Sequence, residues 1–309
     1  MKVLVTAPYF MPVISLYENR FIKHGIALVP YIVNERATEE ELLAVIGDID
    51  GVLCGDDKFT DRVLASAPHL KVIAKWGTGI DSIDQIACAN RGIKVLNTKD
   101  AFSIPVADSV LGYALSFARN LPWMDRAMKA GTWEKVPGRS MSECVFGIIG
   151  VGNVGSAVAK RASAFGGVVL GNDIRPIDRN LIMQTGLVST PLSELLAQSD
   201  FVSLNCDLNS TSRHLICAET LSLMKSTAVL INTARGPVIK EPDLIDALLR
   251  RALGGAALDV FEDEPLPTSS PLRAMDNVML APHNSNSSPK AWTRVHENTV
   301  DMLISELSS

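Results

Sequence analysis

Three short segments in the second half of the chain carry side chains that could act on one small molecule. Arg235 stands in NTARG, Glu264 in DVFEDEP and His283 in APHNSNSS. A guanidinium holds a carboxylate through two parallel hydrogen bonds. An imidazole exchanges a proton with a carbonyl or hydroxyl near neutral pH. A carboxylate orients that imidazole and favours its cation. With a nicotinamide to give or take a hydride, the substrate that uses all of them is a 2-oxo acid or a 2-hydroxy acid. Each residue alone has an ordinary alternative. Arg235 could be a surface ion pair, Glu264 one acid of a solvated loop with Glu262 and Asp263, and His283 a polar residue leading a helix. Asp259, before Glu264, could hold a nicotinamide carboxamide or be a buried structural acid.

Their placement argues for joint action. Each follows an apolar run that reads as a strand (229–233, 258–261 and 278–282), and ligands of open α/β sheets bind beyond the carboxyl ends of strands. The nucleotide end of such a site is written in 145–173, VFGIIGVGNVGSAVAKRASAFGGVVLGND. An apolar strand runs into Gly150-Val-Gly152-Asn-Val-Gly155, then a helix, a second strand and Asp173. Gly150 permits the turn, Gly152 lets a pyrophosphate approach the backbone, and Gly155 lets the helix pack against the sheet. The helix N-terminus offers unpaired N–H groups to the phosphates. Asp173, 18 residues past the last glycine, suits a ribose hydroxyl and repels a 2′-phosphate, so NAD is the expected cofactor.

The first hundred residues form a complete α/β unit of their own. Strands at 2–6, 26–33, 51–54, 70–75 and 93–97 alternate with helices at 17–24, 42–46, 61–67 and 83–90, which predicts a parallel, doubly wound sheet. Thr38 and Glu41 make a capping box, and Thr60 caps the next helix. Ser103 and Pro105 open a long helix whose stripe (Val106, Ala107, Val110, Leu111, Ala114, Leu115, Ala118) suits either core packing or a subunit boundary. The second half continues in βα units and closes on an amphipathic helix, 288–307.

Composition excludes other classes. The net charge of −5 gives no reason to expect nucleic acid or an anionic membrane as a partner. No apolar run has the length of a membrane span, and the N-terminus reads as a strand rather than a signal peptide. Five cysteines without a CxxC fit a reducing cytoplasm and suggest neither a disulfide framework nor a zinc site. His24, His69, His214 and His296 show no metal-ligand spacing and are expected to be surface or local structure.

NTARG, DVFEDEPLP and APH behind a mid-chain GVGNVG closely resemble the NAD-dependent D-isomer-specific 2-hydroxyacid dehydrogenases, and LKVIAKWGTGIDSID is similar to their substrate-loop motif. The resemblance covers nearly the whole chain. It implies a flavodoxin-like substrate-binding domain (1–99), an inserted Rossmann NAD-binding domain (100–284), and a C-terminal helix (285–309) returning to the first domain. It further implies an active site in the cleft and a homodimer. By the same resemblance Arg235 binds the substrate carboxylate, His283 is the acid/base and Glu264 its partner. Lys75, Gly77, Thr78 and Gly79 line the substrate site. Asn153, Val154, Asp173, Cys206, Thr233, Ala234 and Asp259, with the three glycines, touch NAD.

Some positions depart from the family pattern. Cys54 stands where phosphoglycerate-oxidising members tend to carry an arginine, which argues against a phosphorylated substrate, although Lys75 could supply charge. Trp76 is bulkier than the usual neighbour of the loop glycine. Asn205 and Asp207 replace a common His and Pro, and Asn284-Ser285-Asn286 replaces a small, glycine-rich run. No regulatory extension follows the last helix, so no control of that kind is expected. A short-chain dehydrogenase is excluded because none of Tyr9, Tyr17, Tyr31 and Tyr113 has a lysine four positions on. An NAD-sensing, corepressor-like protein and phosphite-type oxidation remain open alternatives.

Overall fold

The computed structural model of the chain describes residues 1–309. Contacts divide them into two compact units, one of residues 1–102 with 288–309 and one of residues 103–287. The helix 288–307 thus counts with the first unit.

The first unit is a five-stranded parallel sheet. Its strands are β1 (Lys2–Val5), β2 (Ala27–Pro30), β3 (Gly51–Cys54), β4 (Val72–Lys75) and β5 (Lys94–Asn97), in the order β2-β1-β3-β4-β5. The central strands β3 and β4 are buried throughout, which is why they read as unbroken apolar runs instead of alternating ones. Of the apolar stretch 26–33 only Ala27–Pro30 pairs, at the sheet edge. The capping box is formed: Thr38 N–H donates to Glu41 Oε2 at 2.8 Å, and Glu41 N–H to Thr38 Oγ1 at 3.3 Å. The last helix, Pro289–Leu307, buries Val295, His296, Thr299, Val300, Leu303, Ile304 and Leu307 at helical spacing. It lies over β3, β4 and β5. Gly51 admits it closely, since a Cβ there would stand 3.1 Å from Leu307 Cδ1.

His296 corrects one expectation, because it is not a surface histidine. It is 6% exposed, and its Nδ1 accepts the indole N–H of Trp76 at 2.9 Å. The rings of Phe10, Tyr17 and Trp76 surround it. Burial lowers its pKa, against a smaller opposite pull from Glu297. The native state therefore takes up a proton less readily than the unfolded chain, where histidine titrates near about 6.5. The stability this contributes is present above that value and is lost as pH falls below it toward the depressed native pKa. His296→Gln keeps an acceptor for Trp76 but cannot titrate. Urea unfolding at pH 7.5 and 5.5 should show a smaller acid loss in the variant than in the parent; equal losses would refute the coupling.

The second unit is a seven-stranded parallel sheet, again doubly wound. Its strands are β6 (Val145–Ile149), β7 (Val168–Asn172), β8 (Val188–Ser189), β9 (Phe201–Leu204), β10 (Val229–Asn232), β11 (Gly255–Leu258) and β12 (Val278–Leu280). The order β12-β11-β10-β9-β6-β7-β8 places the topological switch between β6 and β9, where the glycine turn emerges. The register aligns the carboxyl ends: Leu204 pairs with both Ile149 and Asn232, and Leu258 with both Asn232 and Leu280. Every loop that carries a candidate residue of this unit leaves along that one edge. The long helix Ser103–Ala118 spends its apolar stripe on this unit's own core, against the helix Asn153–Ala164 and β10.

Candidate active site

His283 leaves β12 in a left-handed backbone conformation, φ +51°. Such a conformation is uncommon outside glycine and persists where surrounding bonds enforce it. Here Asp259, just past β11, supplies them. Its carbonyl accepts the N–H of His283 at 2.7 Å. Its carboxylate, 1% exposed as a residue, accepts the N–H of Asn284 at 2.7 Å and of Ser285 at 2.8 Å. One buried acid thereby fixes three successive amides of the histidine loop. Sequence reasoning saw the acid but not this bond pattern, because nothing local in the sequence links 259 to 284.

Glu264 stands beside the imidazole. Its Oε2 lies 3.2 Å from His283 Nδ1, and its Oε1 accepts the N–H of Phe261 at 3.0 Å. With the carboxylate ionised, Nδ1 is the donor in this pair. Both side chains are mostly enclosed, at 22% and 15% exposure, so their electrostatic coupling is only partly screened.

Arg235 follows β10, and its loop is built by a residue the sequence reading passed over. Asn232 is fully buried; its amide donates to the Arg235 carbonyl at 2.9 Å and accepts the N–H of Ala234 at 3.0 Å. The guanidinium Nη1 donates to the Ala234 carbonyl at 2.9 Å. The hydroxyl oxygen of Thr233, between them, is buried and bonded to no protein group. The asparagine of NTARG was the available signal. Arg235, Glu264, His283, Asp259, Thr233 and Ala234 therefore all lie on three neighbouring strand ends.

The nucleotide end of the same edge fits a dinucleotide. A Cβ on Gly155 would fall 2.0 Å from the Gly150 carbonyl oxygen, so only glycine allows this helix to sit so close to the turn. A Cβ on Gly152 would meet only Arg175 Nη2, at 3.9 Å, which leaves the backbone open to a pyrophosphate. The helix starts at Asn153, and its first amides, those of Asn153, Val154 and Gly155, have no intrahelical acceptor. Asp173 Oδ2 accepts the N–H of Val151 at 2.7 Å, tying the turn to the end of β7, while Oδ1 accepts the N–H of Arg175 at 2.8 Å. Cys206 borders the turn, its backbone nitrogen 2.6 Å from where a Gly150 Cβ would be. Burial pushes its thiol up to about 11, so it stays neutral.

In the first unit, Lys75 ends β4 and Gly77, Thr78 and Gly79 form the turn after it. The loop is rigidly tied. Thr98 N–H donates to the Gly77 carbonyl at 3.0 Å, and the Thr78 hydroxyl donates to the Thr98 carbonyl at 3.1 Å. Lys75 is 4% exposed; its ammonium donates to the Trp76 carbonyl at 3.2 Å and pairs with Asp56 Oδ1 at 3.1 Å.

Comparison with known proteins shows the family. The model of the D-isomer specific 2-hydroxyacid dehydrogenase NAD-binding domain matches residues 111–285. The chain is 39% identical over 280 residues to a glyoxylate reductase of Thermofilum pendens, covering 87% of this chain and 82% of that protein. It is 37% identical over 315 aligned positions to a D-3-phosphoglycerate dehydrogenase of Methanocaldococcus jannaschii, covering 99% of this chain but 58% of that longer one. The crystal structure of a D-lactate dehydrogenase from Aquifex aeolicus, complexed with NAD and lactic acid, matches with a TM-score of 0.88 at 28% identity, covering 99% of this chain and 95% of that one. The chain belongs to the NAD-dependent D-isomer-specific 2-hydroxyacid dehydrogenases.

Proposed function

We propose that this enzyme interconverts a small, unphosphorylated 2-oxo acid and its D-2-hydroxy acid, with His283 as acid/base. The observation that carries this reading is the set of three side chains at adjacent strand ends: a carboxylate-paired imidazole, with a guanidinium two strands away. Arg235 holds the substrate carboxylate and orients the C2 carbonyl. His283 Nε2 gives that oxygen its proton in reduction and takes it back in oxidation. Glu264 keeps Nδ1 protonated and compensates the imidazolium. When bound, the nicotinamide supplies or accepts the hydride. Asp259 and Thr233 offer polar atoms for its carboxamide end, and Lys75, Gly77, Thr78 and Gly79 are assigned to the substrate.

Phosphate is disfavoured on two grounds. Cys54 is a buried neutral thiol, held far above its usual pKa by burial. The charge of Lys75 is already compensated by Asp56. NADH oxidation should be seen with at least one of glyoxylate, pyruvate and hydroxypyruvate, and 3-phosphohydroxypyruvate should be a poorer substrate than hydroxypyruvate. A wild-type enzyme inactive on the whole panel refutes the proposed function, and a preference for the phosphorylated compound refutes the pocket assignment.

We assign a homodimer and a cytoplasmic setting on separate grounds. The segment after the long helix exposes Leu121, Met128, Trp133 (87% exposed) and Val136, apolar side chains that a second copy of the chain would cover. All five cysteines are free thiols, as suits a reducing compartment. Sedimentation equilibrium should give a dimer, and Trp133→Glu should shift it to monomer. A wild-type monomer at micromolar concentration would end the dimer assignment.

A further inference from the structure

A histidine outside the reacting set ties the arginine loop to the glutamate loop. His214 lies in the segment after β9 with its backbone in the left-handed region, φ +53°. Its N–H donates to the Pro237 carbonyl at 2.8 Å, two residues beyond Arg235. Its ring Nε2 lies 2.7 Å from Glu262 Oε1, two residues before Glu264. The two loops it spans already touch through their backbones. A Cβ on Gly236 would lie 1.9 Å from the Phe261 carbonyl carbon and 2.5 Å from the Glu262 nitrogen. The same backbone sets the acid, since Glu264 Oε1 accepts the N–H of Phe261. On its other side Glu262 N–H donates to Glu241 Oε2 at 3.2 Å. Glu241 has its pKa raised chiefly by burial and then by Glu262 and Asp263 nearby. Three acids crowd this turn, and the imidazole of His214 is the group that meets Glu262.

We propose that His214, through Glu262, is a positioning residue that fixes Arg235 and Glu264 relative to each other. The assignment rests on the proposed function for its catalytic consequence, but its structural content is independent of any substrate. His214 and Glu262 are 39% and 28% exposed, so as an ion pair they contribute little to global stability. Positioning has a different sensitivity, because a displacement of about 1 Å in a reacting group costs on the order of 10²-fold in rate. A left-handed backbone on a residue that also makes a long-range side-chain bond is the combination expected of a built junction.

Two substitutions separate the roles. His214→Asn tolerates the left-handed backbone but is too short to reach Glu262; His214→Gln retains an N–H donor of nearly the same reach. In His214→Asn, kcat for the best 2-oxo acid should fall by about 10- to 100-fold, with NADH affinity and Tm nearly unchanged. His214→Gln should recover most of the loss. Hydrogen exchange gives a reading that needs no turnover: amides of 235–238 and 261–264 should exchange faster in His214→Asn, and at the parent rate in His214→Gln. Unchanged exchange in both loops overturns the proposal whether or not the wild type is active. Loss of NADH affinity and Tm in parallel with kcat also overturns it, by showing a merely structural role. Inactivity of the wild type on every 2-oxo acid, with the exchange changes present, refutes the function and leaves the junction standing.

Discussion

Replacing His283 with alanine should lower 2-oxo acid reduction by about 10²–10⁴-fold, the usual cost of losing a general acid, while leaving NADH affinity nearly unchanged. In the proposed mechanism the imidazole exchanges the proton through Nε2, and the strand end and the Asp259 bonds fix its backbone. Its state must match the direction of reaction. Reduction starts from the imidazolium, oxidation from the neutral ring. Reductive kcat/KM should therefore be high at low pH and fall as the imidazole loses its proton, and oxidative kcat/KM should rise over the same interval. The Glu264 carboxylate at 3.2 Å favours the cation. Glu264→Gln keeps a hydrogen-bonding group and removes the charge, so the reductive limb should move to lower pH. The profiles need conditions in which hydride transfer limits the rate. A limb that stays in place would assign Glu264 to loop structure alone, and a fully active His283→Ala would remove the histidine from the chemistry.

How far the site could be read from the sequence follows from what each feature depends on. The glycine turn, the Thr38–Glu41 capping box and the buried central strands are local. Their residue types answer to backbone geometry within a few positions, so spacing alone carries them. The register that brings NTARG, DVFEDEP and APH to one edge is set by strand pairing, yet it was legible because parallel sheets deliver ligands at their carboxyl ends. Other features depend on residues far apart in the chain. Asp259 bonding 284 and 285, Trp76 meeting His296, and His214 reaching Glu262 leave no periodicity to detect. His214 and His296 looked alike as isolated histidines, and only folding separates a loop tie from a core acceptor. The helix Leu121–Lys129 was missed although its apolar residues fall on one face; it is only nine residues long and buries no side chain fully. The helix Arg179–Thr185 and the two-residue strand Val188–Ser189 are too short for a periodic signal.

Arg235→Lys should reduce kcat/KM by about 10- to 100-fold despite keeping the charge, because a lost charge-assisted hydrogen bond costs roughly 1.5–3 kcal/mol. The argument starts at Asn232, which holds the backbone on both sides of the loop. The guanidinium spends Nη1 on the Ala234 carbonyl, and that bond fixes the plane of the fork. A guanidinium is planar and can present two parallel N–H groups to both oxygens of a carboxylate at once. An ammonium in its place is a point charge with no plane, so it attracts the substrate without setting which way the C2 carbonyl faces. The loss should thus divide between KM, through the missing second bond, and kcat, through carbonyls presented off line to His283. A monocarboxylic 2-oxo acid such as pyruvate is the right probe, since a second anionic group could bind the lysine in the wrong register. Measured kcat and KM with pyruvate, or with the best substrate of the panel, decide the matter. If the lysine variant keeps both constants, Arg235 does not hold the substrate, and its role at the end of β10 is structural.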